Sequence, residues 1–148
     1  MNIILIAAVT LDGYIARHSH EVIDWSEDLS LFKKQTMGHT VIMGANTRET
    51  LPFDLADREM IVVHKGDTPE QILSGITADT CFVIGGGKTN AIFAPYLTHL
   101  YLTVHPLVFG SGVKLFDGLK NEFGVQFINK ITVNPERGIF QYQYAVKP

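Results

Sequence analysis

The sequence predicts an α/β fold with a mostly parallel central sheet, helices on both faces and a C-terminal antiparallel hairpin. Over the first two-thirds of the chain, short apolar segments alternate with helical segments, which is typical of parallel sheets. The final third contains two segments with period-two alternation, 123–133 and 139–146, separated by the turn sequence Asn134-Pro135-Glu136-Arg137-Gly138. The length of 148 residues favours one domain spanning residues 1–148.

Five strands precede the predicted hairpin. The first, residues 3–9, is almost continuously apolar, as expected of a strand that is buried on both faces of a parallel sheet. Apolar and β-branched segments predict the other four strands at 40–44, 59–64, 80–84 and 99–105.

Four helices are predicted between these strands. Ser26 can cap a helix that runs to about residue 37, and Asn46 can cap a short helix after the second strand. Pro69 stands at the first position of a third helix, and Thr89 belongs to the opening of a fourth. Residues 52–57 are predicted to form a loop.

The composition excludes several classes of protein. A net charge of −3 provides no general attraction for nucleic acid or for an anionic membrane. No apolar run approaches the roughly 20 residues of a membrane span, and the N-terminal segment lacks the basic start of a signal peptide. Cys81 is the single cysteine and cannot form an internal disulfide. We therefore expect a cytoplasmic protein with a small-molecule partner, either a monomer or a homodimer.

Three consecutive glycines, Gly85, Gly86 and Gly87, end the predicted strand at 80–84. Glycine has no Cβ, so a phosphate can approach the backbone closely, and the following helix start would present free N–H groups to an anion. Lys88 adds a positive charge. The run has neither the spaced glycines of a dinucleotide fingerprint nor the frame of a P-loop. The alternative is a tight turn that requires a positive φ.

Ligands of open α/β sheets bind beyond the carboxyl ends of the strands. Gly44, His64, Gly85 and Thr103 lie at or near such ends, so this topology would gather them at one crevice.

Asp28 is the strongest candidate for an acidic group in that crevice. It lies four residues before Phe32 on the predicted helix, and Leu29 shares that face. Apolar neighbours would raise the pKa of the carboxyl, which could bind an amidine-like ring through paired hydrogen bonds. The alternative is an acid that only stabilises the helix dipole.

The remaining candidates each have a simpler explanation beside the functional one. Trp25, the only tryptophan, can lie at the site or can pack the helix entry as a staple. Arg58 can bind a carboxylate through two hydrogen bonds or can be a surface residue. Other cases of this kind are Asp12 (loop cover or Asx-turn), Asn46 and Thr47 (anion site or helix cap), and Lys65 (phosphate contact or surface lysine).

Two kinds of site are not supported by the sequence. The six histidines show no metal-ligand spacing, so no metal is expected. The chain has no G-x-S-x-G turn, and Cys81 belongs to an apolar strand, so a serine or cysteine hydrolase is not expected.

Taken together, these segments resemble the dihydrofolate reductase superfamily, which includes the reductase domain of the riboflavin-biosynthesis enzyme. The similarity runs from Asn2 to about Phe116, and the hairpin matches in pattern only. Seven segments carry it in order: Ile6-Ala7-Ala8, Leu11-Asp12-Gly13-Tyr14-Ile15-Ala16, Asp28-Leu29-Ser30-Leu31-Phe32-Lys33, Val41-Ile42-Met43-Gly44-Ala45-Asn46-Thr47, Arg58-Glu59-Met60-Ile61-Val62-Val63, Val83-Ile84-Gly85-Gly86-Gly87 and Leu100-Tyr101-Leu102-Thr103.

The resemblance implies NADPH as the hydride donor. Its nicotinamide would contact Ala8, Ile15 and Ile84, and the Gly85–Gly86 bond would be a cis peptide. The other implied cofactor contacts, mostly to phosphates, are Gly44, Asn46, Thr47, His64, Lys65, Gly85, Gly86, Gly87, Lys88 and Thr89.

The resemblance also implies a pterin pocket. Asp28 would hold the 2-amino and N3 positions of the pterin with Thr103 bonded behind it, and Trp25 would complete the catalytic group. Phe32 would stack on the substrate, and Arg58 would bind the α-carboxylate of a folate. Ala8, Leu29 and Leu51 would add apolar contacts.

Several positions depart from the pattern of folate reductases. Ala45 replaces the arginine that normally contacts the 2′-phosphate, which leaves the preference for NADPH over NADH open. Asn90 replaces an aromatic residue near the nicotinamide. The stretch 105–112 and the Leu-Asp-Gly turn look more like the riboflavin-pathway reductases, which reduce an aminopyrimidine ribosyl phosphate. Three functions therefore remain: reduction of dihydrofolate, which we favour, reduction of such an aminopyrimidine, or nucleotide binding without catalysis.

Overall fold

The computed structural model describes residues 1–51 and 55–148, and it confirms the predicted fold class. Seven strands form one sheet in the order β4-β3-β5-β1-β6-β9-β8. The five strands from β4 to β6 are parallel, whereas β6 to β9 and β9 to β8 are antiparallel pairs. The strands are β1 Asn2–Thr10, β2 Tyr14–Ala16, β3 Thr40–Gly44, β4 Glu59–Val63, β5 Thr80–Val83, β6 His99–His105, β7 Val113–Lys114, β8 Val125–Asn134 and β9 Ile139–Val146.

Four α-helices connect the strands in the described part of the chain. They are α1 Leu29–Thr36, α2 Ala45–Thr50, α3 Pro69–Ser74 and α4 Gly87–Phe93. Two 3₁₀ helices follow at Ala94–Tyr96 and Pro135–Arg137. None of the described helices is both long and apolar enough to cross a membrane.

Apolar residues cover both faces of the sheet. On one face, Leu5 and Val83 pack with Phe93 of α4, and side chains of α3 lie against this cluster. On the other face, Ile6 and Phe82 pack with Phe32 of α1. The two clusters explain why the central strands read as continuous apolar runs.

The strand predictions agree closely with the structure. Strands β3, β6 and β9 have the predicted bounds, β1 is one residue longer at each end, and β4 and β5 each end one residue earlier. Strand β8 begins and ends slightly later than predicted. Gly138 closes the hairpin turn at φ +69°, a left-handed conformation that glycine adopts without strain.

Three helix starts were predicted wrongly. Helix α1 begins at Leu29 rather than after Ser26, and its N-cap residue is Asp28. Helix α2 is capped by Gly44, so Asn46 lies inside it. Helix α4 begins at Gly87, before Thr89.

Other elements agree with the prediction or extend it. Thr68 caps α3 in a capping box with Gln71. Of the predicted loop at 52–57, residues 52–54 lie outside the described residues. The two-stranded sheet formed by β2 and β7 was not predicted, because each strand is too short to show a period.

Candidate active site

A cavity of about 910 Å³ lies at the carboxyl ends of the parallel strands. Residues 6–8 of β1, the end of β3, the residues after β5 and the first residues of α1, α2 and α4 line it, in agreement with the rule for open α/β sheets. Most of the residues singled out from the sequence line it: Ala8, Ile15, Asp28, Leu29, Phe32, Gly44, Asn46, Thr47, Leu51, Ile84, Gly85, Gly86, Gly87, Lys88 and Thr89.

The glycine run forms a turn that connects β5 to α4. Gly85 has φ +113°, and the bond from Gly85 to Gly86 is a cis peptide, as the resemblance implies. The Gly85 carbonyl accepts a hydrogen bond from the N–H of Gly44 at 2.8 Å, which joins this turn to the end of β3. A Cβ on Gly44 would lie only 2.8 Å from Thr89 Oγ1. Glycine at position 44 therefore allows the end of β3 to lie close to Thr89 of α4.

Gly87 permits a second close approach. A Cβ at this position would lie 2.3 Å from the carbonyl oxygen of Lys114 and 3.1 Å from Asp117 Cβ. The Gly87 carbonyl accepts a hydrogen bond from the N–H of Asp117 at 3.0 Å. The start of α4 is thus fixed against the segment that follows β7.

Asp28 is buried, with 7% of its surface exposed, at the N-cap position of α1. Its carbonyl accepts the first helical hydrogen bond, from Phe32 N–H at 2.9 Å. Burial raises the pKa of the Asp28 carboxyl, and this effect outweighs the opposing influence of the Thr103 hydroxyl. A raised pKa means that the Asp28 carboxyl loses its proton at a higher pH than an exposed aspartate does.

Thr103 lies behind Asp28 and does not line the cavity. Its side chain is fully buried, and Oγ1 has no partner in hydrogen-bond geometry among the described residues, although the hydroxyl lies close enough to lower the pKa of Asp28. The hydroxyl is thus beside the carboxyl, as expected, without a formed bond between the two groups.

His105 was not selected from the sequence, yet it supports Asp28. Its Nε2 accepts a hydrogen bond from the backbone N–H of Glu27 at 3.0 Å, and Nδ1 lies 3.0 Å from the Thr103 carbonyl. A carbonyl can only accept, so Nδ1 carries the proton and the ring is neutral. His105 lies two residues after Thr103, so both side chains point to the same side of β6, and this spacing could have revealed it.

Trp25 packs beside the site and is not among the residues that line the cavity. Its ring meets the rings of His105 and Phe109 edge-on, each at 5.3 Å between centroids. Its Nε1 donates to Glu21 Oε1 at 3.3 Å. These contacts give Trp25 a packing role, against the end of β6 and the loop after it rather than as a staple at the helix entry.

Arg58 is anchored outside the cavity lining. It donates to Thr36 Oγ1 at 2.8 Å, to the carbonyl of Lys33 at 2.7 Å and to the carbonyl of Ala56 at 2.7 Å. These three hydrogen bonds fix the guanidinium against α1 and the segment before β4.

His64 and Lys65 are exposed in the turn after β4, and neither lines the cavity. The backbone N–H of His64 bonds Asp67 Oδ2 at 2.8 Å, which directs this turn towards α3. Among the lining residues that the structure describes, Lys88 is the only lysine or arginine.

Asp12 has a structural role. Its carboxylate accepts hydrogen bonds from the Thr10 hydroxyl at 2.6 Å, from Phe109 N–H at 3.2 Å and from Gly110 N–H at 2.8 Å. These hydrogen bonds lower the pKa of Asp12. They also tie the loop after β1 to the loop after β6, at the edge of the cavity.

Two further observations bear on the reactions considered from the sequence. Cys81 is buried, and burial raises the pKa of its thiol to about 11, so the thiol is not an active nucleophile. The cavity is also lined by several polar residues that the sequence did not reveal as candidates: His18, Ser19, Glu21, Asp24, Asn90 and Asp117. Asn90 had been noted only as a departure from the family pattern.

Comparison with known proteins places this site in a family. The family model described as dihydrofolate reductase matches residues 2–112. The dihydrofolate reductase of Bacillus subtilis is 36% identical over 90 residues, which are 51% of this chain and 52% of that enzyme. The dihydrofolate reductase of Mycobacterium tuberculosis is 31% identical over 112 residues, which are 67% of this chain and 68% of that enzyme. The chain thus spans about half the length of the first relative and two-thirds of the second.

Solved structures share the fold. A dihydrofolate reductase from Enterococcus faecalis, complexed with NADP(H) and RAB-propyl, superposes with a TM-score of 0.80 at 19% identity, covering 99% of this chain and 97% of that chain. A protein from Shewanella sp. PV-4 assigned to riboflavin biosynthesis superposes with a TM-score of 0.65 at 20% identity over the whole of both chains.

Proposed function

The chain belongs to the dihydrofolate reductase family, and from this premise we propose that it reduces 7,8-dihydrofolate to tetrahydrofolate with NADPH. The observation that carries the proposal is the buried Asp28 carboxyl on a cavity wall that it shares with Leu29 and Phe32. An acid beside an aromatic ring suits a flat heterocycle with an amidine-like edge. The two curated relatives described above are both dihydrofolate reductases.

In this proposal the glycine turn and its neighbours hold the cofactor. The backbone of Gly85, Gly86 and Gly87, with Lys88 and Thr89, binds the pyrophosphate, and Thr47 faces the same turn, since its Oγ1 lies 3.5 Å from the Cβ position of Gly85. Ala8, Ile15 and Ile84 provide the apolar surface for the nicotinamide. Bound NADPH supplies the hydride.

Asp28 binds and orients the pterin. Its carboxyl faces the 2-amino group and N3. The Thr103 hydroxyl lies behind the carboxyl, and His105 holds the preceding peptide through the N–H of Glu27. Burial raises the pKa of this carboxyl, and in the proposed reaction Asp28 favours protonation of the ring that it holds. Phe32 packs against the ring, whereas Arg58, which three hydrogen bonds hold outside the cavity lining, is given no ligand contact. No covalent nucleophile is needed, so rate acceleration comes from positioning and electrostatics.

A second candidate is the reduction of an aminopyrimidine ribosyl phosphate. The whole-chain superposition on the Shewanella protein assigned to riboflavin biosynthesis favours it. The polar Asn90, in place of an aromatic residue, also suits a substrate that is rich in hydroxyl groups.

The decisive test is the loss of NADPH absorbance with dihydrofolate as the sole substrate. Turnover that methotrexate abolishes would support the folate proposal, and Asp28→Asn should then slow turnover far more than it weakens NADPH binding. Binding of NADPH without turnover of dihydrofolate would favour the aminopyrimidine. Absence of binding to NADPH would overturn both candidates.

A further inference from the structure

Helix α1 is bound to the last strand of the sheet by a pair of side-chain amides. Gln35 Nε2 donates to Gln141 Oε1, and Gln141 Nε2 donates to Gln35 Oε1, each at 2.8 Å. Gln143 Nε2 donates to the same Gln141 oxygen at 3.0 Å. Gln141 is only 1% exposed, so water does not compete for these hydrogen bonds. The pair therefore fixes the end of α1 to β9.

The amide pair lies next to the group behind Asp28. Gln141 is the register partner of Thr103 on the neighbouring strand, and partners in an antiparallel pair share one face of the sheet. Gln35 follows Asp28 by about two helical turns, so both side chains lie on the side of α1 that faces the sheet. At its start α1 places Asp28 beside the Thr103 hydroxyl, and at its end Gln35 bonds the residue opposite Thr103.

The separation between Asp28 and Thr103 depends on how α1 lies on the sheet. Thr103 Oγ1 has no partner in hydrogen-bond geometry among the described residues, and the N-cap residue Asp28 makes no side-chain capping bond. No formed bond between the two side chains therefore fixes their distance. The helix is attached to the sheet at both ends instead, through His105 before Asp28 and through the Gln35–Gln141 pair after it.

We propose that the Gln35–Gln141 pair is a positioning device, which sets the approach of the Asp28 carboxyl to the Thr103 hydroxyl. The inference rests on the proposed function, in which Asp28 holds the ring that receives the hydride. Neither glutamine is among the described residues that line the cavity, so both act through Asp28 and are positioning residues. A group that is held by such a support can be displaced by a substitution that never touches the ligand.

Substitutions within the amide cluster separate positioning from general packing. Gln35→Leu and Gln141→Leu each break the pair and keep the approximate size of the side chain. Gln143→Leu is the matched control, because it removes a buried amide from the same face of β9 and leaves the pair itself intact. Thr103→Val removes the hydroxyl and shows the effect of losing it completely.

The first measurement is the titration of the Asp28 ¹³Cγ resonance in each protein without added ligand. The Thr103 hydroxyl lowers the pKa of Asp28, so Thr103→Val should raise that pKa. Gln35→Leu and Gln141→Leu should raise it in the same direction, whereas Gln143→Leu should match the wild type. The ionisable neighbours of Asp28 on the surrounding elements are the same in every variant: Asp24, Glu27, Lys34 and His105.

The second measurement is steady-state kinetics with NADPH and dihydrofolate. Gln35→Leu and Gln141→Leu should lower kcat/KM about tenfold, the kind of loss that follows when a reacting group is misplaced. Gln143→Leu should remain within about twofold of the wild type. The affinity for NADPH should be the same in all of these proteins, because the pair acts through Asp28.

Three results would overturn the inference: Gln141→Leu leaves the pKa of Asp28 unchanged, Gln143→Leu raises it as much as Gln141→Leu does, or Gln141→Leu retains the full kcat/KM of an active wild type. If the wild type does not reduce dihydrofolate, the proposed function fails while the titrations still decide the role of the pair. Should Gln141→Leu fail to fold, Gln35→Leu provides the same test, because Gln35 is only half-buried and belongs to the same pair.

Discussion

The imidazole Nε2 of His105 accepts a hydrogen bond from the backbone N–H of Glu27 at 3.0 Å. The two residues are 78 positions apart, and Glu27 directly precedes Asp28. The bond therefore attaches the peptide before the acid to the end of β6. The Glu27 side chain is held as well, by Arg137 Nε at 2.7 Å and Asn134 Nδ2 at 3.0 Å. Asp28 thus takes its position from the sheet and the hairpin turn as much as from its own helix.

Replacement of His105 tests this link. His105→Leu removes the acceptor and leaves the Glu27 N–H unpaired, which should lower the free energy of unfolding by about 1–3 kcal/mol. The loss of position at Asp28 should also reduce kcat/KM for the proposed reaction. Urea unfolding and steady-state kinetics measure the two effects. His20→Leu, an exposed histidine, is the control and should change neither. Unchanged kinetics in a stable His105→Leu protein would mean that the bond does not position Asp28.

The buried Asp28 should also make stability depend on pH. Its pKa is raised in the folded state, so its favourable contribution is complete below the unfolded pKa and is lost as the pH rises through the folded value. At higher pH the folded protein must bury a charged carboxylate, and Asp28→Asn removes the free-energy cost of doing so. The variant should therefore gain stability relative to the wild type at about pH 8, and the gain should shrink towards about pH 4. Unfolding curves at several pH values check this. A difference that does not vary with pH would contradict it.

The same substitution should impair activity. Positioned acid–base groups contribute about 10²–10⁴-fold to rates, and we expect a loss of that order in kcat for Asp28→Asn. A variant that is more stable but less active is the usual outcome when an acid buried for function is neutralised. Retention of full activity would show that Asp28 is not the catalytic acid.

The parts of the fold that local sequence patterns determine were predictable. Strands β3, β6 and β9 follow from apolar and β-branched runs, and the capping box of Thr68 with Gln71 marks the start of α3. The glycine turn was recognisable because backbone that approaches other backbone closely requires glycine.

The features that were missed depend on contacts between distant segments. Helix α1 starts at Leu29, and the peptide before Asp28 is bonded to His105, 78 residues away, a contact that no local pattern near Ser26 predicts. Arg58 is held by Thr36 and the end of α1, which its position before β4 does not reveal. His64 and Lys65 follow a strand end as Gly44 and Gly85 do, yet the Asp67 turn keeps them outside the cavity lining.

The close approach at Gly87 predicts a specific loss of stability. In Gly87→Ala the new methyl would lie 2.3 Å from the Lys114 carbonyl, so the segment after β7 must move. Overpacking of this kind costs about 1–3 kcal/mol. Gly75→Ala is the matched control, since its Cβ would lie 3.6 Å from the nearest atom, an ordinary contact. Thermal unfolding should therefore separate the two variants. Equal stabilities would mean that the Lys114 segment moves away from the new methyl group without a loss of stability.

We expect cofactor preference to depend on Ala45, the first residue of α2, which is exposed and lines the cavity. The family pattern has an arginine here, and Lys88 is the only lysine or arginine among the described lining residues. Ala45→Arg should add a charge-assisted bond to the 2′-phosphate and tighten NADPH binding about tenfold, with no gain for NADH. Salt should diminish the gain. Titration with both cofactors measures it, and Ala45→Gln, which adds length without charge, is the control. A gain shared by NADPH and NADH, or matched by Ala45→Gln, would show that the arginine does not reach the phosphate.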